Sequence, residues 1–144
     1  MRPKIKKELY SKIVELVPIL TVDVIIHLNG GYLLVKRNNE PLKGQYWVVG
    51  GRVLKDESVW EAVNRKVMQE IGCTVTDAKM IGMYEDSYAK SAFGVPTHTT
   101  SIVFDVHIDH TTIKLDEQSS DWIVVNKLPD RFIHKLFICK NTNN

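Results

Sequence analysis

Glu70 is the residue of this 144-residue chain whose setting points most directly to chemistry. It closes a segment that opens on Gly50-Gly51 and runs through Glu57, Arg65, Lys66 and Gln69 to Gly72-Cys73. Tight bends at glycines expose backbone carbonyls, and a helix that follows them turns its polar edge to the same space. Such a set of hard oxygen atoms suits Mg²⁺, which keeps part of its shell for waters and phosphate oxygens. At 100° per residue Glu70 falls only about 20° from Val63, at the border of the apolar stripe, where a carboxylate can enter a cleft. Arginines fit the anion such a site would take, because a guanidinium gives paired hydrogen bonds to phosphate and keeps its charge at any working pH.

The spacing says more than an amphipathic helix would. Gly51, five residues, Glu57, seven residues, then Arg65-Lys66-Val67-Met68-Gln69-Glu70-Ile71-Gly72-Cys73 resembles the Nudix box. The pattern of that family is Gly, five residues, Glu, seven residues, Arg-Glu-apolar-any-Glu-Glu-any-Gly-apolar, and it is matched at Gly51, Glu57, Arg65, Val67, Glu70 and Gly72. The resemblance implies an α+β fold, an α/β/α sandwich with a mixed β-sheet flanked by helices, as a single domain over residues 1–144 with the box loop and helix at 51–73. It implies that Glu70 and the Gly50 carbonyl bind Mg²⁺, with Mn²⁺ able to substitute. Glu57 and Arg65 are then a structural salt bridge that braces the loop against the helix.

Two family carboxylates are missing, because Lys66 and Gln69 stand in their places. With Glu70 left, the site is expected to hold one Mg²⁺ rather than a cluster, and Lys66, one turn earlier, offsets negative charge there. One branch of the family, GDP-mannose mannosyl hydrolase, shows the same loss and breaks the sugar C1–O bond instead of the diphosphate. Likeness to that branch extends from Leu33 to Val53, and it implies substrate-binding roles for Asp23, Arg37 and Arg52, with Arg37 and Arg52 as a diphosphate clamp and Arg52 counted among the catalytic groups. Leu115-Asp116-Glu117-Gln118 resembles the segment whose glutamine completes the metal site, so Gln118 is the implied third ligand beside Gly50 and Glu70. Ser119 occupies the place of the expected histidine base, and its hydroxyl takes up no proton near neutral pH. Ser101 replaces a substrate-contacting tyrosine. Asp86 and His98, in the 85–98 loop, are the replacement bases the residues offer.

The reaction implied is water attack on the anomeric carbon of a nucleoside diphosphate sugar, GDP-mannose or a related GDP-sugar, giving the sugar and GDP. The alternatives are a Nudix diphosphatase that cleaves the P–O–P bond and a nucleotide-sugar-binding protein without catalysis.

These residues need elements to position them. Ile5, Leu9, Ile13 and Leu16 mark a helix over 5–16, ended by Pro18 and packed on the body or on a partner subunit. Thr21–His27 and Tyr32–Lys36 read as strands joined by Asn29-Gly30-Gly31. Tyr46–Val49 forms a short strand running into Gly50-Gly51. Trp60, Val63, Val67 and Ile71 share an arc of about 80° and set a helix over 57–71, with Gly72 as its C-cap. Strands are expected at 79–84, 99–107 and 122–125, a polar loop at 87–97, and a last helix near 129–140.

Hydrophobic residues at 44%, charged residues at 25% and a net charge of +2 are ordinary for a globular protein. Bulk charge gives no argument for nucleic acid, and no apolar run suits a bilayer. Glu8, Ser11, Lys12 and Glu15 interrupt any leader-like core behind Met1-Arg2-Pro3-Lys4. Cys73 and Cys139 match no metal or redox spacing, which suits a reducing cytoplasm. A small-molecule nucleotide sugar and a second copy of the chain, as a homodimer, are the expected partners.

Overall fold

The computed structural model describes residues 4–109 and 112–141, and Met1, Arg2 and Pro3 of the basic N-terminus lie outside them. The sheet grows from two β-rich runs, β1 (Ile19–Leu28) and β2 (Gly31–Arg37). Between them Asn29 and Gly30 both take positive φ, 50° and 77°, which matches the twist of a two-residue hairpin turn. β3 (Tyr46–Trp47) adds to β2, and β4 (Val49–Arg52) pairs with β1. After helix α2 (Val59–Ile71) come β5 (Val75–Tyr88), β6 (Thr97–Ile108) and β7 (Ser119–Val125), the last against β2. The main path is β3-β2-β1-β6-β5, antiparallel except for the parallel β1–β6 pair. Helices α1 (Lys7–Leu16) and α3 (His134–Asn141) complete the chain.

Strand β1 has a forked edge. Its end pairs with β2 at Ile26↔Leu33, whereas its start pairs with β4 from Thr21↔Arg52 to Val24↔Val49. Alternate β1 side chains serve two cores. Val22, Val24 and Ile26 meet Val63, Val67 and Ile71 of α2 on one face. Ile25 joins Leu34, Val103, Tyr84, Leu128 and Phe132 on the other. The mixed sheet therefore lies between helices, the α+β arrangement expected.

Helix α2 begins at Val59, two residues later than periodicity suggests, because Ser58 caps it. The Ser58 hydroxyl accepts from the Glu61 amide at 3.1 Å and the Glu61 carboxylate accepts from the Ser58 amide at 2.7 Å, a reciprocal capping box. Gly72 ends the helix at φ 69°. Trp60 leaves the apolar stripe and stands 44% exposed at the first turn, its ring edge-on to Phe104.

Other boundaries shift for physical reasons. β5 runs well past the expected 79–84, and β6 starts before and ends after the expected 99–107, because their added backbones still pair, as at Asp86↔Thr99 and Tyr88↔Thr97. The Tyr46–Val49 run divides at Val48, so that Trp47 turns to β2 and Val49 to β1. Helix α1 buries only Val14, leaving Leu9 and Leu16 exposed. Cys73 is a buried free thiol, and the Cys139 side chain lies outside the described ones. Among the described residues no helix is long and apolar enough to cross a membrane.

Ser58→Ala removes half the capping box from the helix that carries Glu70. Urea denaturation should show a loss of about 1 kcal/mol, within the range of roughly 0.5–2 for N-cap deletions.

Candidate active site

Strand register assembles a cavity at the forked end of β1. Asp23 lies opposite Gly50 on β4 and opposite Val103 on β6, while Thr21 faces Arg52 and Ser101. Tyr84 pairs with Ser101 from the β5 side. The enclosed space, about 190 Å³, is lined by Asp23, Arg37, Gly50, Tyr84, Ser101 and Gln118 among others. Around Gln118 it meets a larger cleft of about 980 Å³ lined by Arg52, Lys66, Gln69 and Asp116.

Asp23 is held firmly. Its Oδ2 accepts from the Tyr84 hydroxyl and from His134 Nε2, the latter at 2.8 Å. Its Oδ1 faces Gly50, where an added Cβ would stand 2.9 Å away. Burial, and then the charge and hydrogen bond of Asp23, raise the Tyr84 hydroxyl far above the ordinary phenol range, so it stays protonated and donates. His134 is fully buried, and its Nδ1 finds no partner among the described residues. The assignment of the proton to Nε2 follows from the carboxylate beside it.

The box loop is braced as an ion pair. Arg65 Nε donates to Glu57 Oε1 at 2.6 Å, and Nη2 donates to Oε2 at 3.0 Å and to the Arg52 carbonyl at 2.9 Å. Glu57 Oε2 also accepts from the Leu54 amide at 2.8 Å. Glu70 is 4% exposed, and the ammonium of Lys66 lies 2.7 Å from its Oε1. Burial raises the Glu70 pKa, Lys66 works against that shift, and Asp116 adds to it.

The oxygens expected to ligate a divalent cation therefore face a cation of the chain itself. Lys66 Nζ is also 3.5 Å from Gln118 Oε1, and a Cβ on Gly51 would approach it to 3.1 Å. The Gln118 amide nitrogen and backbone amide both donate to Asp116, at 3.2 and 3.0 Å. Gly50, Glu70 and Gln118 supply hard oxygens of the right type, yet with Glu70 and Gln118 turned to a buried ammonium they do not fit a protein-held Mg²⁺.

The other residues singled out by sequence separate into groups. Arg37 lines the cavity, with Nε donating to the Pro41 carbonyl at 2.7 Å. Arg52 lines the neighbouring cleft and places its guanidinium 4.3 Å from the centre of the Tyr10 ring. The two therefore line adjoining spaces, with Gln118 common to both. Ser119 is 6% exposed in the ladder opposite Arg37, and Ser101 Oγ lies 2.6 Å from Thr21 Oγ1. Asp86 accepts from the Tyr88 hydroxyl at 2.7 Å, so it stands behind a cavity residue. His98 is exposed and lines a separate pocket with Pro18 and Val14. Sequence reasoning did not single out Tyr84, Tyr88 or His134. Tyr84 entered that reasoning only as the last residue of an expected strand.

A sequence profile of the Nudix domain matches residues 17–139. The low-salt glycan biosynthesis protein Agl8 of Haloferax volcanii is 34% identical over 119 residues, which cover 81% of this chain and 76% of that protein. An ADP-ribose pyrophosphatase of Methanocaldococcus jannaschii is 32% identical over 126 residues, 86% of this chain and 72% of its own length. Among solved structures, a MutT Nudix hydrolase from Burkholderia pseudomallei superimposes with a TM-score of 0.68 at 23% identity, covering 89% of this chain and 99% of that one. The profile spans the sheet, the braced box loop and α2 together, and on that match the protein is a member of the Nudix family.

Proposed function

We propose that the chain hydrolyses a nucleoside diphosphate sugar, GDP-mannose or a related GDP-sugar, by attack of water on the anomeric carbon in a cytoplasmic setting. The observation that carries this reading is the single carboxylate left in the Arg65–Glu70 core of the box. Glu70 is the only acid among Lys66, Gln69 and Glu70, and Lys66 already pairs with it at 2.7 Å. No carboxylate cluster remains there to drive water onto phosphorus.

A sugar needs less from that helix. In the reaction the water oxygen bonds to C1, the bond from C1 to the diphosphate oxygen breaks, and its electron pair leaves with the diphosphate. Asp23 is the buried carboxylate in the cavity, and it takes the proton of the water through the oxygen that faces Gly50. Tyr84 and His134 hold its other oxygen and fix its direction. Arg37 lies on the same cavity and Arg52 on the adjoining cleft, where they neutralise the leaving diphosphate from two sides. Nudix hydrolases generally use divalent metal ions. Mg²⁺ is the ion the sequence leads one to expect, and Lys66 occupies the carboxylate that would hold it.

The glycan-biosynthesis name of the Haloferax relative supports a sugar-bearing substrate. The pyrophosphatase name of the Methanocaldococcus relative favours a second reading, cleavage between the phosphates. A homodimer belongs to the same proposal, supported by the exposed Leu9 and Leu16 of α1.

Incubation with GDP-mannose and other nucleotide sugars in ¹⁸O-water, followed by mass spectrometry, should place the label in the free sugar and leave the nucleoside diphosphate unlabelled. Label in a nucleoside monophosphate or sugar phosphate establishes the diphosphatase instead. Binding without turnover across the panel establishes a nucleotide-sugar-binding protein.

Asp23→Asn should lower kcat by about 10²–10⁴-fold, the usual worth of a general base. Arg37→Ala should lower kcat/KM by roughly 10- to 100-fold, as expected for a lost hydrogen bond to a charged group. An Asp23→Asn enzyme with unchanged kcat would remove Asp23 from the proton transfer.

A further inference from the structure

Lys66 has an environment that a surface lysine never has. It is 6% exposed on a helix whose other buried positions are apolar except for Glu70. Its ammonium lies 2.7 Å from Glu70 Oε1 and 3.5 Å from Gln118 Oε1. Its stem is pressed on Gly51, where an added Cβ would stand 2.7 Å from Cε. A long, flexible side chain is thus fixed at both ends, its carbons by a glycine that yields room and its charge by a buried carboxylate.

These contacts coincide with the oxygens the box offers to a metal. A divalent ion on Glu70 would have to share a low-dielectric space with a fixed positive charge, with Glu70 already paired to that charge and Asp116 already accepting from Gln118. Mg²⁺ demands near-octahedral hard oxygens at short distance, and an ammonium in that shell takes the place of one.

We propose that Lys66 is the resident cation of this site, standing where the family uses a divalent metal, so that the protein binds the diphosphate of its ligand without a metal of its own. An ammonium is a compact point charge that serves phosphate well, though without the geometry of a metal. Lys66 lines the cleft with Gln118, and Gln118 reaches the cavity that holds Arg37. A diphosphate bridging the two spaces meets Arg37, Lys66 and Arg52 in turn. The diphosphate half of this inference rests on the nucleotide reading above; the exclusion of the metal does not.

The test separates the two. Mn²⁺ titration followed by electron paramagnetic resonance, with no nucleotide present, should show no saturable site on the wild-type protein. Lys66→Gln, its fold checked by circular dichroism, should bind one Mn²⁺ about tenfold or more tightly than wild type, because the competing charge is gone. Calorimetric titration of the wild type with GDP should give the same affinity in excess EDTA as in millimolar Mg²⁺. One Mn²⁺ bound by the wild type and lost in Glu70→Gln, or GDP binding abolished by EDTA, overturns the proposal whether or not Lys66→Gln folds. Failure of GDP and of every nucleotide sugar to bind in either medium overturns its diphosphate half together with the proposed function, while rejection of Mn²⁺ still supports Lys66 as the cation.

Discussion

The backbone at Gly50 leaves no room for a side chain, one at Gly51 would have to displace Lys66, and the layout of the site depends on both. A Cβ on Gly50 would stand 2.4 Å from the Val22 carbonyl oxygen, and one on Gly51 would meet the Lys66 stem at 2.7 Å. Strand β4 can therefore lie against the start of β1 while its last residues touch α2. If the two strands separated, β1 would lose the partner that closes one wall of the cavity and Lys66 would lose its seat. The loop beyond is tied at both ends: Arg65 holds the Arg52 carbonyl and the Glu57 carboxylate, and Glu57 holds the Leu54 amide. Sheet, loop and helix thus move as one piece, and preorganisation of this kind lets a charged site work without reorganising at the moment of reaction.

Two buried carboxylates flank that piece, and they are satisfied in opposite ways. Glu70 faces a cation, whereas Asp23 accepts from a phenol and an imidazole. Removing one partner of a buried pair leaves the other charge uncompensated, at a cost of about 3–5 kcal/mol, so Lys66 is as much a part of the fold as of the site. The carboxylate with its own cation is poorly suited to accept a further positive ligand. Asp23, whose partners are donors on one oxygen, presents the other to Gly50. Of the two, the carboxylate not paired to a lysine is therefore on β1, not on α2.

What could be read in the sequence follows the range of the interactions. The β1–β2 hairpin and α2 were legible because turn chemistry, period and capping act within a few residues. The Glu57–Arg65 pair was legible only through the resemblance to the box. Length of β5 and β6 was not legible, since alternating polar residues on a half-solvated strand look like loop until a partner strand is known. The parallel pairing of β1 with β6 joins residues about eighty positions apart, and His134 reaches Asp23 across 111 positions. No local signal carries such contacts. Lys66 was expected to offset charge, but its burial is decided by the glycine opposite it. Arg37 and Arg52, one clamp in sequence, separate because β4 carries Arg52 toward Tyr10 of α1.

Ser119 shows how a scaffold accommodates a residue that cannot act as a base. It sits in the first position of β7, 6% exposed and opposite Arg37, held by the ladder rather than aimed at a ligand. A hydroxyl there neither accepts a proton at neutral pH nor disturbs the strand, so the fold tolerates it. The candidates from the 85–98 segment do not fill the vacancy, because Asp86 is committed to Tyr88 and His98 opens on a different pocket. Asp23 does lie in the cavity, and His134 of α3 reaches it from the opposite end of the chain. The C-terminal helix therefore supports the cavity from behind, since its first residue holds a carboxylate that lines it.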